Sequence, residues 1–370
     1  MIIVIDALDE CQDQKQVKNL ITILFRHTQN LPIKFFITSR PEPRLREAFR
    51  ISPIILQERF SLHDVEQELV DADIKLYLQH RLDVIMEGRS DQDGDSPDWP
   101  TQEELKLLVR RCNKLFIYAA TACNFIEAGA DAHSRLLQLI DTSLPPSMKA
   151  LDVLYDSILK AAHIPLSSSE ELELVKLVLR VVTTVLRPLS PGSLSDLVGI
   201  KRQTLMAAIH NLHSVIYVPQ VDDGLVSVLH ASFADYLLDS KCSREHYLDP
   251  IYSHGSLALQ CLSYIRFSRL KAYQTPERIF LPDSSRGPAS DDVLTQDTAL
   301  AYSCSSWAFH AMNSGRITVN LRKALQRFFN SDALWWIQIS VQFQVQADSD
   351  AIHSAALHSL DALEIWAKVG

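Results

Sequence analysis

The stretch Ile2–Cys11, IIVIDALDEC, and its partner downstream, Phe35–Pro43, FFITSRPEP, decide how this chain is read. Ile2, Ile3, Val4 and Ile5 form a continuous apolar run that ends in acids, the pattern of a strand buried on both faces of a parallel sheet. Val17, Leu20, Ile21 and Leu24 then recur at helical spacing, and the helix they predict stops at Asn30-Leu31-Pro32. Phe35, Phe36 and Ile37 make a second strand running into Thr38-Ser39-Arg40, and Ile54, Ile55 and Leu56 make a third. Strand alternating with helix is the pattern of a parallel sheet. A strand of this buried kind at the very start gives the expectation that the chain begins inside a domain.

Beyond about residue 62 the pattern turns helical. Ile74, Tyr77, Leu78, Leu82 and Ile85 share one helix face. Gly88 to Pro100 reads as a loop, Thr101 and Glu104 as a capping box, and Leu115 to Ile126 as an apolar, buried helix. Residues 168–240 carry three helices followed by Val215, Tyr217 and Val221, an Asp223-Gly224 turn, and Val226 and Val228. Three helices and a hairpin make a winged helix, since a two-residue Asp-Gly loop suits a tight turn. Residues 246–370 return to helix, ending in a segment from Ile352 to Trp366.

Composition narrows the class of function. The 370 residues hold 36 Lys and Arg against 45 Asp and Glu, a formal charge of -9, which argues against a grip on nucleic acid or anionic lipid. The winged-helix region strengthens this, because residues 190–240 carry Lys201 and Arg202 against five acids, and MAAIHNLHSV is too apolar to face phosphates. Ten glycines in 370 residues, well under the usual share of roughly 7%, favour long helices. The six cysteines form no CxxC pair, which fits a reducing compartment, and no signal peptide or long uncharged apolar run is visible, so a cytoplasmic location is expected.

The candidate chemistry sits at the two strand ends. Asp6 stands at the carboxyl end of the first strand, where open parallel sheets hold ligands, and Asp9 and Glu10 follow one turn on. One carboxylate to hold Mg²⁺ and a second acid to orient water is what phosphate hydrolysis needs, and Arg40 on the neighbouring strand end can reach a γ-phosphate. Other readings stay open. Asp9 and Glu10 would also complement the dipole of the next helix, and Arg40 would also serve as a solvated loop cation. His230 is equally a core histidine or a ligand.

IIVIDALDEC and FFITSRPEP resemble the Walker B and sensor 1 strands of NACHT-type NTPases of the STAND class, in the nephrocystin-3-like form common in fungi. LFIYAATACNFI (115–126) resembles the buried helix of the family's helical lid, and PLSPGSLSDLVG (188–199) and VLHASFADYLLD (228–239) resemble the entry to and exit from its winged helix. ALAYSCSSWAFHAM (299–312) and the Trp335-Trp336 helix resemble its trailing helical region.

The resemblance implies a mostly α protein with an N-terminal α/β remnant. Its parts are a partial P-loop NTPase core (1–62), a helical lid (63–147), a winged helix (148–245) and a C-terminal helical domain (246–370). It implies Asp6 as the Mg²⁺ acid, Asp9 and Glu10 as the water-activating pair, Arg40 as sensor 1, and His230 as the histidine that touches the nucleotide β-phosphate. ATP or ADP with Mg²⁺ are the cofactors of the intact family, whose members act as oligomerising signalling switches, so protein partners or self-association are expected.

Two departures stand out. No GxxxxGK[ST] loop occurs, so the segment that cradles phosphates is expected upstream of Met1, and the chain is expected to bind nucleotide poorly and not to hydrolyse it. Asn113-Lys114 stands where relatives often carry Gly-Gly. The alternative is a helical interaction or regulatory module without nucleotide.

Overall fold

In the computed structural model, the residues described are 1–11, 14–27, 32–40, 43–50, 60, 66–89, 99–141, 149–163, 169–219, 224–274 and 296–346. The chain divides into two compact units, Met1–Leu69 and Val70–Gly370.

The first unit is built on the two strands that the sequence predicts. β1 (Ile2–Ile5) pairs in parallel with β2 (Lys34–Ile37), with Ile2 opposite Lys34 and Ile5 opposite Ile37. Parallel strands need a crossover, and α1 (Gln14–His27) lies in it. Together with α2 (Pro43–Arg50) it forms a small core of Leu8, Val17, Ile21, Leu45 and Ala48, against which Ile5, Phe25, Ile37 and Phe49 pack. Phe25 and Phe49 meet edge to face, with centroids 5.9 Å apart.

The expectation of a strand buried on both faces is corrected here. Ile2, Val4 and Phe36 are 68%, 64% and 58% exposed. The physical reason is the pleat: successive side chains point to opposite faces, and the apolar cluster with α1 and α2 takes in Ile5 and Ile37 but none of these three. The third strand read at Ile54–Leu56 lies outside the described residues.

Among its described residues the second unit is helical apart from one small hairpin. α3 (Gln67–Glu87), which begins at the boundary between the units, buries Ile74, Leu78, Leu82 and Ile85, the stripe legible at helical spacing, with Tyr77 half-buried beside it. α4 (Gln102–Cys112) starts at a full capping box. The Glu104 amide donates to Thr101 Oγ1 at 3.2 Å, and the Thr101 amide to Glu104 Oε2 at 2.8 Å. Asn113 and Lys114 then turn the chain through left-handed conformations, φ 45° and 64°, into α5 (Phe116–Glu127), whose Tyr118, Ala122, Phe125 and Ile126 are buried. α6 (Ala132–Asp141) and α7 (Ala150–His163) close this part of the core.

α8 (Ser169–Thr184) leads to α9 (Pro191–Val198), which Ser190 caps by accepting from the Ser193 amide and which ends on Gly199 at φ 75°. α10 (Arg202–Ile209) follows and buries Leu205, Ala208 and Ile209. β3 (Ile216–Tyr217) and β4 (Ser227–Val228) pair antiparallel, and Val226 bridges back to Leu189. Of the predicted turn, Gly224 is described and Asp223 is not.

Beyond the hairpin come α11 (Ala231–Leu238), the short α12 (Ser240–Ser243) and a 3₁₀ turn, Arg244–His246. α13 (Pro250–Gln274) then packs along α14 (Thr298–Asn313). α15 (Val319–Arg327) passes through a π-helical turn, Phe328–Asp332, into α16 (Ala333–Gln346). Trp307, Phe328 and Trp336 form the aromatic centre of this end, with Trp307 and Phe328 centroids 4.7 Å apart. The helix read at Ile352–Trp366 lies outside the described residues, and among the described residues no helix is long and apolar enough to cross a membrane.

Candidate functional site

The carboxyl ends of β1 and β2 are tied together by Thr38. Its amide donates to the Ile5 carbonyl and its carbonyl accepts from the Leu8 amide, both at 3.0 Å. Its hydroxyl accepts from the Ala7 amide at 2.9 Å and donates to Asp6 Oδ1. Ala7 takes a left-handed conformation, φ 50° and ψ 49°, which few residues other than glycine adopt readily, and that reversal starts the 3₁₀ turn Leu8–Glu10. The turn carries Asp9 back toward β2. Asp9 Oδ1 accepts from the Arg40 amide at 2.8 Å, and Oδ2 lies 3.5 Å from Arg40 Nε.

Three of the five residues singled out in the sequence, Asp6, Asp9 and Arg40, therefore share one strand end, linked by Thr38 and by the Asp9–Arg40 pair. Asp6 is exposed and Asp9 largely enclosed. Glu10 closes the 3₁₀ turn with its backbone, and its side chain lies outside what is described. An exposed carboxylate beside a hydroxyl at the end of a parallel strand is a donor set that suits a hydrated Mg²⁺, a cation that prefers a few oxygen ligands and keeps several waters.

His230 belongs to the second unit and caps the N-terminus of α11. Its Nδ1 accepts from the Ser232 amide at 3.1 Å, so the neutral ring carries its proton on Nε2. Ser232 Oγ lies 2.6 Å from the same nitrogen, and the Tyr155 hydroxyl 2.7 Å from Ser232 Oγ. Since Nδ1 accepts, Ser232 donates to it and Tyr155 donates to Ser232. The Ser232–Tyr155 support went unread in the sequence, because 77 positions separate the two. A hydroxyl two residues beyond a helix-capping histidine was the one available signal.

Comparison with known proteins agrees with this picture at a coarse level. A family described as Nephrocystin 3, N-terminal, matches residues 1–40, the span that holds β1, β2, Asp6, Asp9 and Arg40. The vegetative incompatibility protein HET-E-1 of Podospora anserina is 25% identical over 370 residues, covering 91% of this chain and 25% of that protein. The chain thus spans about a quarter of the length of this curated relative. No solved structure matches it. The two matches agree with the resemblance drawn from the sequence and support a relationship to fungal NACHT-like proteins.

Proposed function

We propose that these residues are part of a nucleotide-dependent signalling switch of the NACHT/STAND type. In this reading residues 1–62 supply the Walker B and sensor 1 strands of an NTPase core, residues 63–147 a helical lid, 148–245 a winged helix and 246–370 a C-terminal helical domain. Asp6 holds Mg²⁺ of ATP or ADP through water, Asp9 and Glu10 orient the attacking water, Arg40 meets the γ-phosphate, and His230 offers its Nε2–H to the β-phosphate. Proteins, including further copies of the chain, are the partners, and the cytoplasm is the compartment. The observation that carries the reading is the parallel β1–β2 pair, which brings Asp6, Asp9 and Arg40 to one strand end.

The 370 residues contain no GxxxxGK[ST] loop to fix the phosphates, so by themselves they do not hydrolyse ATP at a meaningful rate. A second reading, a helical interaction module without nucleotide, is favoured by one fact: Arg40 engages both carboxylate oxygens of Asp9. Calorimetry with ADP and Mg²⁺ separates the readings. Weak, Mg²⁺-dependent binding that Asp6→Asn abolishes supports the switch, and no heat even at millimolar ADP favours the interaction module. A sub-micromolar dissociation constant overturns the expectation that the phosphate loop is indispensable.

A further inference from the structure

A second cluster of ligating side chains lies far along the sequence from the strand ends, where the 3₁₀ turn Arg244–His246 meets α7. His246 Nε2 is 3.5 Å from Asp156 Oδ1 and 3.7 Å from Glu245 Oε1, and all three ligand atoms lie within 4.8 Å of one another. These separations exceed the 2.7–3.2 Å of ordinary N–H···O hydrogen bonds. They match the spacing of ligands around one small dication: metal–ligand bonds of about 2.0–2.2 Å at tetrahedral angles put neighbouring ligand atoms roughly 3.3–3.6 Å apart.

An independent feature points into the same place. Tyr236, on α11, is only 3% exposed, yet its hydroxyl is buried without a hydrogen-bond partner among the described residues. Its ring lies 5.5 Å from that of Tyr155, the residue before Asp156 on α7, and burial first, then the charges of Asp156, Asp152, Cys242 and Glu245, raise its pKa. A buried hydroxyl without a bonded partner is costly, about 1–3 kcal/mol, unless a further group completes it. A water on a bound metal would do so.

Charge also favours a cation. The charges of Asp156, Asp152 and Glu245 act on Tyr236, and those of Asp156, Glu245 and Arg244 on Lys160, so acids outnumber cations here. Lys160 Nζ sits 2.7 Å from Asp156 Oδ2, the other oxygen from the one that approaches His246, so Oδ1 is available to a metal while the ammonium stays. His246 is buried and set by its surroundings, whereas the Glu245 side chain is 68% exposed and able to close the last few tenths of an ångström.

We propose that Asp156, Glu245 and His246 form a Zn²⁺ site whose remaining position is filled by water hydrogen-bonded to Tyr236. One imidazole with two carboxylates suits zinc, a borderline metal, better than the all-oxygen preference of Mg²⁺ or Ca²⁺. The site clamps the 3₁₀ turn to α7 with residues of the second unit alone. The test uses the full 370-residue chain stripped with a chelator and titrated calorimetrically with zinc chloride near pH 7, with Co²⁺ absorption as the spectroscopic readout.

One zinc per chain is expected at this site. Glu245→Gln should weaken it by at least about tenfold, as ligand-sphere changes do. Lys160→Met should tighten it severalfold by removing the competing ammonium. Tyr236→Phe should leave zinc bound but alter the Co²⁺ spectrum. His246→Gln abolishes the site if the variant folds, and because Glu245 and Lys160 are exposed their variants decide the matter if it does not. Zinc affinity unchanged within about twofold in both Glu245→Gln and Lys160→Met overturns the proposal, as does Mg²⁺ displacing zinc at equal concentration.

Discussion

Replacing Tyr302 by phenylalanine should cost the second unit far more than one oxygen atom suggests. Tyr302 is fully buried on α14, and its hydroxyl accepts from the Leu186 amide at 3.2 Å. The hydroxyl proton needs an acceptor, which the Leu186 amide cannot be, so it goes to His310 Nε2, 2.7 Å away. His310 then carries its proton on Nδ1 and donates it to His254 Nδ1 on α13, at 2.8 Å. One orientation therefore runs through the whole buried relay, and loss of the Tyr302 hydroxyl would break it at its head. The Leu186 amide loses this acceptor and the buried His310 Nε2 loses its donor, which together cost roughly 2–4 kcal/mol.

The same relay makes a pH signature. Desolvation first, and the neighbouring His254 second, lower the pKa of His310 to about 3. In the unfolded chain a histidine titrates near 6.5, so below that pH the unfolded state binds the extra proton and the folded state does not. The stability held by neutral His310 is therefore complete above about pH 6.5 and drains away as pH falls. At 1.36 kcal/mol per unit, roughly 3 kcal/mol is gone by pH 4.5. His254, also shifted down by burial, adds to the loss in the same direction. In Tyr302→Phe the donor that favours neutral His310 is missing, so its pKa rises and the acid dependence becomes shallower.

Urea denaturation at pH 7 and pH 5, followed by tryptophan fluorescence, measures both effects, with Tyr252→Phe on the exposed side of α13 as the neutral control. A loss under about 0.5 kcal/mol at pH 7, with an unchanged difference at pH 5, would refute the relay.

Two further substitutions test other joints. Thr38→Val keeps the shape of the side chain but deprives the Ala7 amide of its acceptor and Asp6 of its donor, so the first unit should lose about 1–2 kcal/mol, read as faster amide exchange in β1 and β2. Lys114→Gly relieves a left-handed backbone at φ 64° and should gain about 0.5–1 kcal/mol after the entropy of glycine is set against it, and a loss measured by thermal unfolding would show that the lysine side chain holds this turn.

What the sequence disclosed and what it hid divide along physical lines. Helical stripes, the capping box at Thr101 and Glu104, the parallel strands and the positions of Asp6 and Arg40 at their ends all follow from local spacing. Secondary structure answers to neighbours a few residues away, so a single chain displays it. Asn113-Lys114, singled out in the sequence, is the one place among the described residues where two successive non-glycine residues turn left-handed. Pairings over long separations left no such trace. Nothing local tells that Tyr302 and His310 will meet His254, that Asp156 will lie against Glu245 and His246, or that Asp9 will be held by the Arg40 amide. The exposure of Ile2, Val4 and Phe36 was hidden for a related reason: an apolar run announces a strand without saying how many faces its surroundings cover.

The Asp9–Arg40 pair bears most directly on how such a strand end could work. The first unit has a slender apolar core, Leu8, Val17, Ile21, Leu45 and Ala48 among the described residues, and units of this size are marginal on burial alone. Its strand ends are therefore held in register largely by polar links, with Thr38 fastening the two backbones and Asp9 fastening the turn to Arg40. The Asp9 link has two parts of different kind. The bond from the Arg40 amide to Oδ1 is positional and survives any motion of the guanidinium, whereas the 3.5 Å approach of Nε to Oδ2 is an ion pair on a partly exposed side chain. A phosphate is a stronger and bidentate partner for an arginine than one carboxylate oxygen at that distance. An anion arriving beside Arg40 would thus compete with Asp9 Oδ2 for the guanidinium, while the amide bond to Oδ1 kept Asp9 in place. Under the switch proposed above, an anion that engages Arg40 would therefore weaken one of the two links to Asp9 and leave the other intact.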